Sequence, residues 1–316
     1  MHSTISPVPT SLQNGSQILS EAQVASFKEN GYLALNQITT DEDVAEIRSV
    51  LEELFARKAG HDQGAYFNFA GNEKDKKAPV LPQIMAPHNF AGRLKKSQFR
   101  HNATLVARLI LGPEARFHVD HTLMKPPVDG PSTPWHQDEA FKDPKFECDE
   151  ISIWMPLQPV NDKNGCMMFI PGTNRGEVLP HRTPGNDPKI HAIECYEGYD
   201  LDSAVSCPLP AGGCTIHHGR TVHGAGPNRS GAPRYAYVLI FQNPYHPVKV
   251  PRSFPWLEGK ATDRMERQQK WMKKGGRLIG TWRWLRDKEP RDYKRAITKV
   301  AKKIGARFSS RGDGPH

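Results

Sequence analysis

Cysteine is scarce in this chain: five in 316 residues (Cys148, Cys166, Cys195, Cys207, Cys214), and no CxxC pair among them. An odd set with that spacing argues against a disulfide framework and against a cysteine-type zinc site, and it fits a reducing compartment. Long apolar runs are missing as well. None approaches the roughly 20 residues of a membrane helix, and the polar start, residues 1–16, has no apolar core of a secretory leader. A cytoplasmic protein without membrane contact is the expectation. There is no GxGxxG fingerprint, no P-loop, no strand–helix alternation and no internal repeat, which removes the doubly wound nucleotide-binding folds.

Glycine (26) and proline (27) are plentiful, more than a helical protein carries, and they punctuate short β-rich runs. Charge is plentiful too, but uneven. The formal net charge is +9, yet 20 Lys/Arg against 7 Asp/Glu lie from Asn243 onward, leaving 23 basic against 27 acidic residues before it. A chain whose larger part is mildly acidic is not a uniformly cationic nucleic-acid binder, so no nucleic-acid partner is expected.

The order of elements follows from local patterns. Residues 1–19 read as a flexible N-terminus. Ser20 and Thr40 stand where helix caps stand, each before a helical run; Val44, Ile47, Val50, Leu51 and Leu54 share one face of the second. The run Gly31-Tyr-Leu-Ala-Leu between them predicts a short strand. Residues 58–92 read as a long irregular loop, with Tyr66, Phe67, Phe69 and Met85 as an apolar wall and His88, Asn89, Arg93, Lys95 and Lys96 near it. From about residue 103 the signal becomes β, with strands at residues 151–157, 166–170, 214–218 and 234–242. Short strands with Gly/Pro punctuation predict a mainly β sandwich, barrel or jelly roll with flanking helices. From Glu289 a basic helix carries Tyr293, Ile297, Val300 and Ile304 on one stripe.

Chemistry is concentrated in two stretches. In Trp135-His-Gln-Asp, His136 and Asp138 are two apart, and on an extended strand such residues project to one side. A second imidazole could come from His217, His218 or His223. Two imidazoles and one carboxylate make the facial triad of non-heme Fe(II) oxygenases and leave open positions on one face of the ion. Arg234, eleven residues beyond His223, would offer a planar fork to a dicarboxylate.

These segments resemble the phytanoyl-CoA dioxygenase family of Fe(II)/2-oxoglutarate oxygenases. The residues that carry the resemblance are Trp135-His-Gln-Asp, Asn164-Gly-Cys-Met-Met-Phe-Ile-Pro-Gly-Thr, Gly212-Gly-Cys-Thr-Ile-His and His223-Gly-Ala-Gly-Pro-Asn-Arg-Ser with Arg234, together with Phe27-Lys-Glu-Asn-Gly-Tyr-Leu. The resemblance implies a double-stranded β-helix (jelly roll, cupin-like) over residues 20–245, with 58–92 as a lid and 246–316 as a basic helical extension. It implies His136, Asp138 and His223 as catalytic iron ligands, and Arg234 as the anchor of the 2-oxoglutarate distal carboxylate. Trp154, and less directly Thr122 and Lys125, would line the cosubstrate site, and His218 would support the ligands. His181 and His191 read as loop histidines. The implied cofactors are Fe(II), 2-oxoglutarate and O2, and the implied reaction is hydroxylation of an unactivated C–H bond of a small molecule, in specialised metabolism, with succinate and CO2 as coproducts. Asp138, a carboxylate where halogenating relatives carry a small residue, favours that outcome over halogenation. Desaturation or epoxidation on the same site, and a cupin-like metal-binding protein without oxygenase activity, are the competing readings. For the basic extension the expectations are packing on the body, a homodimer contact or an acidic partner.

Overall fold

The computed structural model describes residues 3–4, 19–147 and 149–274. Residues 289–304, read above as a basic helix, and most of residues 1–19 lie outside the described residues. Both sequence-predicted caps are made. Ser20 and Gln23 form a reciprocal capping box at the start of α1 (Glu21–Asn30), and Thr40 accepts from the Asp43 amide at the start of α2 (Asp41–Ala56). The buried face of α2 is Val44, Ile47, Val50, Leu51, Leu54 and Phe55. Gly31 ends α1 at φ 79°, and a Cβ there would lie 2.5 Å from the Thr221 hydroxyl and 2.6 Å from Asn174. Only glycine lets the chain turn there while lying against that loop.

The strands, in chain order, are β1 (Tyr32–Leu35), β2 (Tyr66–Asn68), β3 (Pro82–Met85), β4 (Arg116–Lys125), β5 (Thr133–His136), β6 (Glu150–Pro156), β7 (Met167–Phe169), β8 (Val205–Cys207), β9 (Cys214–His218), β10 (His223–Ala225) and β11 (Arg234–Gln242). They form a larger sheet ordered β1-β9-β6-β11-β4-β3-β2 and a smaller one ordered β8-β7-β10-β5, to whose β8 edge Ser3–Thr4 adds in parallel. All neighbours in these two runs are antiparallel. Strands β4 to β11 pass between the two sheets, which is the jelly-roll winding expected from the resemblance.

Alternation assigns each strand two faces. On β11, Ala236, Val238 and Ile240 point between the sheets, where they pack with Trp154, Phe169 and Cys207. Tyr235, Tyr237, Leu239 and Phe241 point outward and are covered by α2 and by α3 (Gln98–Leu111). The strand is buried along its whole length because both faces are covered.

Two expectations change. Residues 98–111 are a helix, not the start of the β region: Ser97 caps it, and Phe99, Asn102, Ala103, Val106 and Ala107 repeat at helical spacing before Gly112. The run Thr-Leu-Val inside it reads as β when the period is overlooked. Residues 58–92 are not irregular throughout, since β2 and β3 extend the larger sheet and bury Phe67 and Phe69 with Leu81 and Ala192. Cys166, Cys195, Cys207 and Cys214 are free, buried thiols. No helix among the described residues is long and apolar enough to cross a membrane.

Candidate metal centre and cosubstrate site

The backbone of two adjacent strands carries the cluster. His136 ends β5 and pairs directly with His223 at the start of β10, so their rings lie 4.2 Å apart, centre to centre. Gln137 remains extended, and the chain then turns at Asp138 into a short 3-10 turn, Asp138–Phe141. This returns the carboxylate to the two imidazoles. Asp138 Oδ1 lies 3.6 Å from His136 Nε2 and 3.7 Å from His223 Nε2, and one ligand atom from each of the three side chains fits within 4.8 Å of the others.

Each ring is fixed by its own backbone. His136 Nδ1 bonds the Pro134 carbonyl at 2.7 Å and His223 Nδ1 bonds the Thr221 carbonyl at 2.8 Å. Donation from Nδ1 leaves the Nε2 lone pair of both rings directed at the gap, the tautomer a metal needs. Burial holds the His223 imidazole well below its ordinary pKa, helped by His217 and His136. Burial alone would raise the Asp138 carboxyl, but His223, His136 and His217 outweigh it and keep the group well below its usual value. The donor set is therefore ready for a cation: two imidazoles with Nε2 turned to the gap and one carboxylate.

The residue between the ligands is a tie. Gln137 donates to the Arg220 carbonyl at 2.6 Å and accepts from the Leu179 amide at 2.7 Å, and its own amide donates to His181 Nε2 at 3.1 Å. His181 is thus a buried support of the ligand loop rather than a plain loop histidine, and burial pushes it down to about 4.

Arg234 begins β11 on the inner face of the larger sheet and is 1% exposed. Its Nε and Nη1 have no hydrogen-bond partner, its guanidinium lies 5.4 Å from the centre of the Trp154 ring, and burial pushes its pKa down to about 9. A buried, unpaired cation costs several kcal/mol unless something anionic meets it. Trp154, Val238 and His121 form one cross-strand row, with Thr215 beside Trp154. The Thr215 hydroxyl and His121 Nδ1 on that row are also buried without partners. The orphaned donors fit a bound dicarboxylate, and the His-Asp-His set fits a metal.

Thr122 and Lys125 are placed otherwise than expected. Thr122 pairs with Tyr237 on the helix-covered face, and its hydroxyl donates to the Ala236 carbonyl at 2.8 Å. Alternation turns it away from the cavity. Lys125 does face inward opposite Arg234, but its ammonium donates to the carbonyls of Pro131, Ala225 and Gly226 at 2.6, 3.3 and 2.7 Å. With three donors used on three carbonyls, it pins the His223–Arg234 connection instead of holding a ligand. Asn228 does the same from the other side, donating to the carbonyls of Lys125, Pro126 and Ala232. His218 points to the face opposite His217, where its Nδ1 accepts from the Arg220 amide. The histidine that touches the cluster is His217, with Nε2 3.3 Å from Asp138 Oδ2.

Sequence reasoning passed over His121 and Ser152, and it did not name the residues by which the C-terminal segment packs on the body. Period two on β4 and β6 could have found the first two. The described part of that segment, residues 246–274, straps loops beside the cluster to the body. Arg252 meets Glu139, Trp256 donates to the Ala140 carbonyl, and Lys260 donates to the carbonyls of Ile190, His191 and Ala192. Within α4 (Asp263–Lys273), Arg264 lies 4.5 Å over Phe67 and Arg267 meets Glu73. His191 is enclosed by Phe67, Phe69 and Phe141, and Phe141 stands edge-on to the His136 ring at 5.9 Å.

The family profile described as phytanoyl-CoA dioxygenase (PhyH) matches residues 27–236. The chain belongs to that family. It is an Fe(II)/2-oxoglutarate-dependent dioxygenase. A probable alpha-ketoglutarate-dependent hypophosphite dioxygenase of Stutzerimonas stutzeri is 30% identical over 224 residues, covering 69% of this chain and 76% of the relative. The human peroxisomal phytanoyl-CoA dioxygenase is 25% identical, covering 71% and 68%. Among solved structures, EvdO2 from Micromonospora carbonacea var. aurantiaca, crystallised with 2-oxoglutarate, superposes with a TM-score of 0.66 at 32% identity, covering 76% of this chain and 97% of that one. The residues matched by the family profile include His136, Asp138, His223 and Arg234.

Proposed function

We propose that the chain hydroxylates an unactivated C–H bond of a small molecule, with iron held by His136, Asp138 and His223 and the distal carboxylate of 2-oxoglutarate held by Arg234. The observation that carries this is the buried guanidinium of Arg234, unpaired at Nε and Nη1, on the sheet face that looks toward the cluster. A cupin-like protein that only binds a metal would have no use for it, whereas a dicarboxylate cosubstrate neutralises it bidentately.

Ferrous iron with 2-oxoglutarate and dioxygen supplies an oxidant able to attack an unactivated C–H bond, yielding succinate and CO2. The chain's part is to hold and to exclude. His136, Asp138 and His223 would hold the ion with three protein atoms, and the remaining positions would be free for the cosubstrates. Trp154 backs the Arg234 guanidinium and limits where the distal carboxylate can lie. The aromatic wall of Phe67, Phe69 and Phe141 keeps water from the cavity and gives an apolar surface against which a C–H bond can be placed. Phe67 and Phe69 belong to residues 58–92, and a lid built from that segment would present them to the substrate. The relatives' names point to hypophosphite and phytanoyl-CoA, which are chemically unlike, so no substrate is carried over from them.

The test is succinate release from 2-oxoglutarate with Fe(II), ascorbate and air. Release by the wild type, lost in His136→Ala and in Asp138→Ala, supports the proposal; a wild type that releases none overturns it. Small molecules of specialised metabolism are then screened for stimulated release, with product mass distinguishing an added oxygen from loss of two hydrogens.

A further inference from the structure

We propose that His217 is a positioning residue for the iron carboxylate: its Nε2–H, with the Ser152 hydroxyl, holds Oδ2 of Asp138 so that only Oδ1 is presented to the metal. The inference rests on the iron reading above.

The two carboxylate oxygens of Asp138 have different surroundings. Oδ1 faces both ligand imidazoles, 3.6 Å from His136 Nε2 and 3.7 Å from His223 Nε2. Oδ2 accepts from the Ser152 hydroxyl at 2.7 Å and lies 3.3 Å from His217 Nε2. Ser152 and His217 are cross-strand partners on β6 and β9, so the two donors are set side by side on the inner face of the larger sheet. The tautomer of His217 follows from electrostatics. Its Nδ1 is buried with no hydrogen-bond partner. A proton there would leave an orphaned N–H and turn the Nε2 lone pair on a carboxylate oxygen, and both are unfavourable. The proton therefore sits on Nε2 and is donated to Oδ2.

The ring of His217 also packs 4.1 Å from that of His223 and 5.4 Å from that of Phe169. One side chain thus touches two of the three ligands. The consequence concerns counting. A carboxylate bound through both oxygens occupies two positions of the metal, and one bound through a single oxygen occupies one. A six-position ion holding two imidazoles and a bidentate keto acid has a position for dioxygen only in the second case. With Oδ2 engaged by two donors, the one-oxygen mode is preset by the apoprotein.

Cobalt(II) in place of ferrous iron reads this without turnover. The full chain, wild type and variants, is titrated with Co(II) and followed by its visible d–d absorption. His217→Phe keeps a ring against His223 and removes the donor; it is expected to bind Co(II) about 10–100-fold more weakly, the usual effect of losing a partner of a ligand, with a changed band intensity. His217→Gln, whose amide N–H reaches the position of Nε2, is expected to recover most of both. Wild-type affinity and spectrum in His217→Phe, or Gln performing no better than Phe, would overturn the proposal. Should His217→Phe lose its native fold, His217→Met against His217→Gln makes the same comparison between chains of similar length. Failure of the underlying reading looks different: the wild type then takes up no Co(II), or His136→Ala takes up as much.

Discussion

The two faces of the larger sheet treat polar groups in opposite ways. On the helix-covered face they are paired: Asp120 accepts from the Tyr237 hydroxyl and contacts His88 Nδ1, and Thr122 bonds the Ala236 carbonyl. On the inner face, Arg234 Nε and Nη1, His121 Nδ1, Thr215 Oγ1 and His217 Nδ1 are buried without partners. Both faces belong to the same strands, and the polar atoms compared are buried on each, so burial alone does not explain the contrast. A stable core satisfies its polar atoms. Several unsatisfied atoms on one face of one sheet mark where a ligand completes the set.

Substitutions on each face put that contrast to the test. The largest effect is expected for Arg234→Ala, which should raise the 2-oxoglutarate concentration needed for half-maximal succinate release by roughly two orders of magnitude, while Co(II) uptake stays near wild type. Equal loss of both would make Arg234 a folding residue. Acidification comes next. Burial lowers His121 and His181 from 6.5 to about 4. Between those values the unfolded chain takes up a proton that the native protein refuses, so stability falls as pH drops through that window, by on the order of 3 kcal/mol for each group at most. Thermal melts of the apoprotein between pH 7 and 4 check this; a melting temperature constant across the window contradicts it. Asp120→Asn, on the paired face, should cost about 2 kcal/mol in urea unfolding and leave the 2-oxoglutarate requirement unchanged. Thr122→Val should cost about 1 kcal/mol, again without effect on the cosubstrate; a raised requirement would place Thr122 in the cavity after all.

Much of the fold was legible because it is written in short-range patterns. The caps Ser20 and Thr40, the apolar face of α2 and the strands β9 and β11 all appear where local spacing and cap chemistry put them. Helix α3 was missed because its β-branched and aliphatic residues suit either state, and only the full repeat from Phe99 to Ala107 distinguishes them. At the site, the HxD pair and the segment from His223 to Arg234 were legible, since their residues lie close together in sequence. Lys125 was a candidate because it lies on the strand entering the HxD segment, and that position says nothing about the three carbonyls that surround its ammonium. The C-terminal segment reads as a basic tail, and only packing reveals that Lys260, Arg264 and Arg267 tie the cavity loops together.

By itself the amino-acid order determined the element types, the His136/Asp138 pair and the candidate partners, because helix period, strand alternation and cap chemistry act over a few residues. That His217 and not His218 touches the carboxylate, that Thr122 faces the helices, and that Arg234 Nε and Nη1 have no partner came from the packing of the strands. Those outcomes depend on which face of a strand is turned inward and on what the neighbouring strands and loops bring opposite it, and both are settled by pairings between residues about a hundred positions apart, such as Thr122 with Tyr237.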